Sequence, residues 1–303
     1  MTRQTDTEEN ALPVTVLLAA KNEAINLPRC LAALRRAARV IVLDSQSTDA
    51  TADIAVGLGA EVVQFCYAGG YPKKRQWAME NLDISTPWVL LIDADEVVPD
   101  ALWDEIGAAL SRPDCSDAFL ITKGFHFLGR RFRYGGFSHS AVLLFRNGCA
   151  RFERLFDDNS DSLDMEIHER VVVDGRLGGL RTPLIHEDFK GLEAYIARHN
   201  KYSTWEARVR HWYFTKGRYG EDIIQARLFG NSQERRRALK EVIICVPFEH
   251  WVWFCYHYFF RLGVFEGRAG LIASQIRASY IAQVNAKLHE MRLEAKRKAG
   301  VIG

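Results

Sequence analysis

The sequence of 303 residues predicts an α/β fold, in which helices flank a mainly parallel sheet and a helical C-terminal region follows. Three observations support this prediction. Short apolar runs alternate with helical patterns over the first ninety or so residues, as in βαβ units. Residues 88–92 are all apolar, which is typical of a strand buried on both faces. From Gly191 onward, apolar side chains recur at the 3.6-residue spacing of a helix.

The first part of the chain is predicted to alternate strands with helices. Asn26 and Pro28 indicate the start of the first helix, through a side-chain cap and a preset φ angle. Ser47, Thr48 and Asp49 offer a cap to the second helix. Right-handed crossovers between such strands produce a parallel sheet. The predicted strands cover residues 14–19, 40–43, 61–65 and 88–92, and the third helix covers residues 72–81.

Beyond Pro113 the pattern changes to strands separated by glycine-rich turns, at 118–122, 125–128 and 141–145. Near Gly191 it becomes helical. We therefore predict three parts: a disordered lead-in over 1–11, an α/β domain over 12–190 and a helical region over 191–303.

Composition excludes several classes of protein. A net charge of +2 is too small to indicate a nucleic-acid partner. The six cysteines form no C-x-x-C pair, so neither a zinc ribbon nor a redox motif is predicted, and a reducing cytosol fits them best. The first ten residues are polar and acidic, without the apolar core of a signal peptide.

Carboxylates follow the predicted strands at the points where the strands end. Glu23 follows the first strand, Asp44 ends the second, and Asp93 and Asp95 end the fourth. Carboxyl ends of parallel strands share one sheet edge, where ligands of open α/β sheets bind. Clustered acids suit a hard divalent cation that carries a diphosphate. The alternative is a solvated acidic loop that caps the helix after Pro99.

Two common nucleotide-binding motifs are absent from the sequence. No G-x-G-x-x-G follows the first strand, and no G-x-x-x-x-G-K-[ST] occurs. Dinucleotide oxidoreductases and P-loop nucleotidases are therefore disfavoured.

The segment 242–265 is rich in aromatic residues but is interrupted by Pro247, Glu249 and Arg261. Such interruptions disfavour a bilayer-spanning helix. Its tryptophans and tyrosines favour a membrane–water boundary, with basic residues on both sides as in an interfacial helix. The alternatives are a buried core helix or a subunit interface in a homo-oligomer.

Several motifs make the chain similar to the family 2 glycosyltransferases of the GT-A fold. Within that family it most resembles bacterial enzymes similar to lipopolysaccharide-core glucosyltransferases. The resemblance covers nearly the whole chain. The motifs that carry it are Val16-Leu17-Leu18-Ala19-Ala20-Lys21-Asn22-Glu23, Ile41-Val42-Leu43-Asp44-Ser45-Gln46-Ser47-Thr48-Asp49, Pro72-Lys73-Lys74-Arg75-Gln76-Trp77-Ala78, Leu91-Ile92-Asp93-Ala94-Asp95-Glu96, Phe127-Leu128-Gly129-Arg130-Arg131, Ile167-His168-Glu169, Leu184-Ile185-His186 and Arg261-Leu262-Gly263-Val264-Phe265-Glu266-Gly267-Arg268-Ala269-Gly270.

The resemblance implies an inverting, metal-dependent hexosyltransferase that uses a nucleotide-diphosphate sugar, with UDP favoured and Mn²⁺ or Mg²⁺ as cofactor. The domain over 12–190 would then be a GT-A catalytic domain for donor and acceptor. The acceptor would be lipid-linked or a surface polysaccharide, such as lipopolysaccharide. The enzyme would be peripheral on the cytoplasmic face of the inner membrane. A sugar-phosphate nucleotidyltransferase and an inactive membrane scaffold are the alternatives.

The resemblance also implies roles for particular residues. Asp95 would bind the metal. His186 would be a further metal ligand or would cap the helix after Gly191. Glu169 would be the base that takes the acceptor proton, with Glu166 as second candidate and an ion pair with Arg170 or Arg176 as the alternative role of Glu169. The residues implied for the nucleotide sugar are Ala20, Asn22, Glu23, Asp44, Ser45, Lys74, Arg75, Asp93 and Ala94, although Lys74 and Arg75 also fit a solvated helix face.

Overall fold

The computed structural model describes residues 11–155, 163–166, 169–230 and 232–300. Residues 1–10 of the predicted lead-in lie outside this part of the chain. Ile167 and His168 of the predicted Ile167-His168-Glu169 motif also lie outside it.

Strands dominate the first two thirds of the described chain. In chain order they are β1 (Leu12–Ala20), β2 (Ala37–Asp44), β3 (Glu61–Gln64), β4 (Trp88–Asp93), β5 (Glu96–Val97), β6 (Ala118–Phe127), β7 (Arg130–Arg131), β8 (His139–Arg146), β9 (Ala150–Phe152), β10 (Arg154–Leu155), β11 (Val171–Val173), β12 (Leu177–Gly179), β13 (Leu184–His186) and β14 (Gly220–Asp222).

Ten of these strands form one sheet, with the order β3-β2-β1-β4-β8-β6-β13-β5 and with β7 and β12 paired to β6. β3, β2, β1 and β4 are mutually parallel. β8 is antiparallel to both β4 and β6, because the chain enters it through a hairpin rather than a helical crossover. The predicted α/β class is confirmed, and the mixed second half of the sheet adds to it.

Helices cover the sheet and continue as the C-terminal region. The apolar runs of β1, β2 and β4 are fully buried, which explains why they lack the alternation of a half-exposed strand. The helices are α1 (Leu27–Ala32), α2 (Thr51–Gly57), α3 (Lys74–Asn81), α4 (Asp100–Leu110), α5 (Gly191–Lys216), α6 (Ser232–Ile243), α7 (Glu249–Cys255) and α8 (Gly267–Lys298).

The predicted side-chain cap of the first helix is wrong, since Asn26 makes no capping hydrogen bond to α1. Instead, Asn26 donates a hydrogen bond to Glu23, 2.8 Å away. At the second helix, Asp49 Oδ1 accepts the backbone N–H of Thr51, the first residue of α2, at 3.0 Å. Ser47 and Thr48 bond to the loop after β1. Asn26, Ser47 and Thr48 thus connect loops at the sheet edge rather than closing helices.

The predicted turn at Lys123 and Gly124 is also wrong, because β6 runs unbroken through both residues. A lysine in an apolar strand suggests an interruption. Here its ammonium pairs with the carboxylates of Asp93 and Glu96, so the strand continues without burying an unpaired charge.

The C-terminal region packs its helices around buried side chains of α5 and α8, including Ala207, Tyr280 and Val284. The segment 242–265 is not one helix. After α7 it continues as a π-helical turn (Tyr256–Phe260) and a 3₁₀ turn (Gly263–Glu266). Within the described part of the chain, no helix combines the length and the apolarity needed to cross a bilayer.

Candidate active site

The register of the sheet places the predicted carboxylates at one edge. Ala19 of β1 is paired with Asp93 of β4, and Ala20 is paired with Asp44 of β2. All three strands are parallel, so their carboxyl ends and the loops after them meet there.

The loops after β1 and β2 are joined by hydrogen bonds around Asp44. Asp44 is buried and accepts hydrogen bonds from the Ser47 hydroxyl and from Gln64 Nε2, the latter at 2.8 Å. Asn22, with φ of 54°, donates its backbone N–H to Ser47 Oγ at 2.8 Å. Asn22 Oδ1 accepts the backbone N–H of Thr48 at the same distance. The carboxylate of Asp44 is therefore held in a fixed orientation.

Glu23 lies at the same edge and is connected to the segment before α5. Its carboxylate pairs with the ammonium of Lys190 and accepts a hydrogen bond from Asn26. Asn26 also donates to Asp188 Oδ1 at 3.0 Å. Burial raises the pKa of Glu23, against the opposing effect of the hydrogen bonds from Lys190 and Asn26. Glu23 thus connects the loop after β1 to the segment before α5.

Asp93 is held by two cations. Arg75 pairs with one of its oxygens, and Lys123 Nζ lies 2.8 Å from the other. Lys123 also pairs with Glu96, which accepts the backbone N–H of Asp93 at 2.9 Å. Burial opposes ionisation of Asp93, but Arg75 and Lys123 outweigh it and hold the pKa far below its usual range. Asp93 is ionised and fixed in place.

Asp95, two residues further, faces His186 at the end of β13, with His186 Nε2 3.4 Å from Asp95 Oδ2. Burial raises the pKa of Asp95, but the charge and hydrogen bond of His186 lower it by more. Burial lowers the pKa of His186 in turn, and the charge of Asp95 raises it above the usual value. Arg198 and Tyr202 of α5 lie near Asp95. The charge of Asp95 favours the protonated form of Arg198, and it adds to the effect of burial in raising the pKa of Tyr202.

The residues at this edge fit a divalent metal that is shared with a diphosphate. One carboxylate and one imidazole are donors that suit Mn²⁺ or Mg²⁺ in part, and phosphate oxygens complete such sites. Asp93 and Glu96 are already neutralised by Arg75 and Lys123. No group of three or more histidines, cysteines or acids that could hold a metal alone is found in the residues that the structure describes.

Two alternatives from the sequence are wrong here. The acidic turn is not a solvated cap, because Asp95 and Glu96 are buried. His186 does not cap α5, whose first residues have no side-chain cap. The side chains of Asp95 and His186 instead pair with each other.

Lys74 and Arg75 lie in the interior, which contradicts the solvated helix face. Lys74 Nζ donates to the carbonyl of Ala20 at 3.0 Å and lies 3.3 Å from Asp164 Oδ2. Ser45, next to Asp44, is buried as well. Both cations thus hold residues of the site in place.

Glu166 and Glu169 border a small recess together with Tyr71 and Lys73. Glu166 accepts the backbone N–H groups of Arg75 at 3.3 Å and of Gln76 at 3.0 Å, so it satisfies the first turn of α3. Burial raises the pKa of Glu166. Glu169 Oε1 lies 2.9 Å from Lys73 Nζ rather than beside Arg170 or Arg176 as the alternative predicted.

The structure therefore brings most of the predicted residues to one edge, with Ala94 buried between Asp93 and Asp95. Sequence reasoning missed Lys123, Asp164 and Lys190. Only Lys123 had a local indication, a lysine within an apolar strand that needs a buried carboxylate as partner.

Comparison with known proteins agrees with this geometry. Residues 15–159 match the family model described as "Glycosyl transferase family 2". This part of the chain therefore resembles a family 2 glycosyltransferase domain. The "Lipopolysaccharide core biosynthesis glycosyltransferase LpsC" of Rhizobium meliloti (strain 1021) is 29% identical over 202 residues, which are 65% of this chain and 71% of that protein. An "Uncharacterized glycosyltransferase" of Rickettsia bellii is 26% identical over 289 residues, 93% of this chain and 87% of that protein.

These relatives confirm the predicted enzyme class, a glycosyltransferase, and the predicted resemblance to lipopolysaccharide-core enzymes. Solved structures match the glycosyltransferase less closely. S. aureus TarS matches 88% of this chain and 55% of its own, with 16% identity and a TM-score of 0.41. Glucosyl-3-phosphoglycerate synthase from Mycobacterium tuberculosis, in complex with Mn²⁺, UDP and glucosyl-3-phosphoglycerate, matches 41% of this chain and 47% of its own, with 22% identity and a TM-score of 0.31. The chain thus spans about half the length of these two solved proteins.

Proposed function

We propose that this glycosyltransferase moves a sugar, with inversion, from a nucleotide-diphosphate donor to a lipid-linked or surface-polysaccharide acceptor, with a divalent metal. The observation that carries the proposal is the Asp95–His186 pair at the carboxyl edge of the sheet. Asp95 lies within the matched residues 15–159, next to an Asp93 that two cations fix in place, and His186 reaches it from β13.

The donor would lie across the carboxyl ends of β1, β2 and β4. Asp44 offers an oriented, buried acceptor for the base, and Asn22 fixes the loop beside it. Asp93 would accept a ribose hydroxyl. Arg75, whose guanidinium is paired with Asp93, would act by positioning that carboxylate rather than by reaching the diphosphate. UDP is the favoured nucleotide, on the resemblance in the sequence.

Asp95 and His186 would hold Mn²⁺ or Mg²⁺ together with diphosphate oxygens. When bound, the metal supplies Lewis-acid stabilisation of the departing diphosphate. The protein's own part is to hold Asp95 Oδ2 and His186 Nε2 3.4 Å apart, so that one ion can contact both.

Glu169 would be the base that removes the acceptor proton. An inverting transfer needs one carboxylate within hydrogen-bond reach of the attacking hydroxyl. Glu166 is committed to the backbone of α3, which supports Glu169 as the base. Lys73 Nζ lies 2.9 Å from Glu169 Oε1 and so fixes the position of that carboxylate at the recess.

The acceptor class and the site of action rest on similarity and on surface chemistry. The similarity to the Rhizobium lipopolysaccharide core biosynthesis glycosyltransferase supports an acceptor in the lipopolysaccharide core. Such an acceptor is anchored in lipid, which supports a peripheral position on the cytoplasmic face of the inner membrane.

A donor-turnover assay tests the proposal. The protein is incubated with UDP- and GDP-sugars and a lipopolysaccharide-core acceptor, with Mn²⁺ or with EDTA. We expect nucleoside diphosphate release from one donor type, dependent on the metal, and a product whose anomeric configuration by NMR is inverted. Retained configuration or metal-independent transfer would refute the mechanism. Pyrophosphate formed from UTP and a sugar 1-phosphate would identify a nucleotidyltransferase instead.

A further inference from the structure

Two distant segments of the chain meet outside the active site. The hairpin between β6 and β8 carries Arg130, which pairs with the carboxylate of Glu266 in the 3₁₀ turn. Arg130 Nη2 lies 2.9 Å from Glu266 Oε2. Glu266 Oε1 also accepts the backbone N–H groups of Arg133 at 2.7 Å and Tyr134 at 2.9 Å. One buried carboxylate therefore fixes the hairpin onto the turn.

The two backbones also approach each other closely. Gly135 donates its N–H to the carbonyl of Arg261 at 2.7 Å. A Cβ on Gly136, whose φ is +66°, would lie 2.7 Å from Arg261 Nε. The rings of Tyr134 and Phe265 are 5.6 Å apart. The hairpin and the turn form one continuous surface.

This composite surface, which we call the docking surface, is apolar and basic. Phe260 is 80% exposed and Phe265 is 65% exposed. Arginines of both segments are exposed as well. Its members are Arg130, Arg131, Arg133, Tyr134, Phe259, Phe260, Arg261, Leu262, Val264, Phe265 and Arg268.

The acids of this region point inward. Residues 128–138 contain no acid, and residues 242–268 contain two, Glu249 and Glu266. Glu249 is 1% exposed and paired with Arg210, and Glu266 is 2% exposed and paired with Arg130. The outward side of the docking surface therefore presents apolar and cationic groups without an exposed carboxylate.

We propose that the docking surface binds an anionic lipid bilayer. Exposed aromatic side chains beside arginines match the chemistry of the membrane interface. A second copy of the chain fits less well, because it would place one set of arginines against the same set of its partner. A buried core helix, one of the alternatives from the sequence, is excluded by the exposure of Phe260 and Phe265.

Docking would also orient the active site. β6 carries Lys123, the partner of Asp93, and runs directly into the hairpin. A lipid-linked acceptor would then be presented to the edge that holds the donor. This consequence rests on the proposed function, whereas the binding of the bilayer does not.

Co-sedimentation with vesicles tests the proposal. The full-length protein is mixed with vesicles of phosphatidylglycerol and phosphatidylcholine, or of phosphatidylcholine alone, at low and high NaCl. We expect binding to the anionic vesicles only, weakened by salt. Two variants, F260S/F265S and R131Q/R133Q, are each expected to lower the affinity for the vesicles about tenfold or more. For the arginine variant the reason is that each interfacial basic residue contributes about fivefold to the affinity. R35Q/R112Q, which removes two exposed arginines elsewhere, is the matched control.

The outcomes separate this proposal from the proposed function. UDP binding is measured on every variant and is expected to be unchanged. Vesicle binding without UDP binding would support docking and refute the donor site. Absence of wild-type binding to anionic vesicles, or wild-type affinity in both variants, would overturn docking. A dimer that F260S/F265S converts to a monomer, by analytical ultracentrifugation, would overturn it in favour of a second copy.

Discussion

Lys123 is the residue on which the electrostatics of the acidic turn depend. Its ammonium is shared by Asp93 and Glu96; Lys123 and Glu96 are buried, and Asp93 is half-buried. Removing one partner of a buried ion pair leaves an uncompensated charge, which costs more than the pair contributed. The partners are about thirty residues apart in sequence, so no local pattern could have predicted this contact.

K123M is expected to reduce the free energy of unfolding by about 3–5 kcal/mol, because Asp93 and Glu96 lose their shared cation. Urea denaturation followed by circular dichroism measures the change. K21M removes an exposed lysine near the same edge and is expected to change stability by less than about 0.5 kcal/mol. Equal effects of the two substitutions would show that Lys123 is not a structural cation.

Glu169 and Glu166 border the same recess, and the proposed function gives the role of base to Glu169. E169Q is expected to lower kcat by about 10²-fold or more with little change in donor affinity, since only the proton acceptor is lost. Steady-state kinetics and UDP titration measure the two effects. E193Q, at an exposed glutamate of α5, is the control. A loss of donor affinity in E169Q as large as the loss in kcat would assign Glu169 a structural role.

At the scale of elements, α4 positions the strand that carries His186. Glu105 of α4 accepts the backbone N–H groups of Arg181 at 2.7 Å and Thr182 at 2.8 Å, just before β13. Burial raises the pKa of Glu105, but these hydrogen bonds outweigh it and hold the pKa below 4.5. Stability from such a group is present above its unfolded pKa and is lost as pH falls through the folded one.

E105Q is therefore expected to be less stable than wild type by about 1 kcal/mol near neutral pH, because charge-assisted hydrogen bonds become neutral ones. The difference should shrink as the pH falls below about 4.5 and vanish below the folded pKa. Thermal unfolding across this pH range is the measurement. A difference that stays constant with pH would mean that the charge of Glu105 is not what stabilises the loop.

The elements themselves differed in how well the sequence predicted them. β1, β2 and β4 were predicted because a parallel strand buried on both faces is a plain apolar run. For β6 the sequence predicts two strands, because a lysine in an apolar run suggests a break when its carboxylate partners lie far away in the sequence. The segment 242–265 was predicted as aromatic and interfacial. Phe248 and Leu262, which precede α7 and the 3₁₀ turn, adopt left-handed conformations that bulky residues rarely adopt, so the sequence pattern does not predict these breaks.

At the scale of the whole molecule, a buried ion network holds the C-terminal helices together. Arg210 of α5 pairs with Glu249 of α7 at 2.6 Å and with Glu206 of its own helix at 2.9 Å. Glu206 accepts the hydroxyl of Tyr280 of α8 at 2.7 Å. Lys73, which immediately precedes α3 in the α/β domain, lies with its Nζ 4.1 Å from the centre of the Trp205 ring of α5 and so connects α5 to that domain.

R210M is expected to lower the free energy of unfolding by about 3–5 kcal/mol, because buried Glu249 loses its cation and Glu206 loses one of its two cations, keeping Lys240 at 3.4 Å. R35M breaks an exposed pair with Asp100 and is expected to cost less than about 1 kcal/mol. Denaturant titration of both variants gives the comparison. If R210M costs no more than R35M, the network does not hold the helices together.

The measurement that tests the central claim most directly is a calorimetric titration of the wild-type protein and D95N with UDP, with Mn²⁺ and with EDTA. The account predicts that wild type binds UDP much more tightly with Mn²⁺, and that D95N loses this dependence while its circular dichroism spectrum is unchanged. A wild-type protein that binds UDP equally well in EDTA, or a D95N variant that keeps the metal dependence, would contradict the assignment of Asp95 and His186 to a metal–diphosphate site.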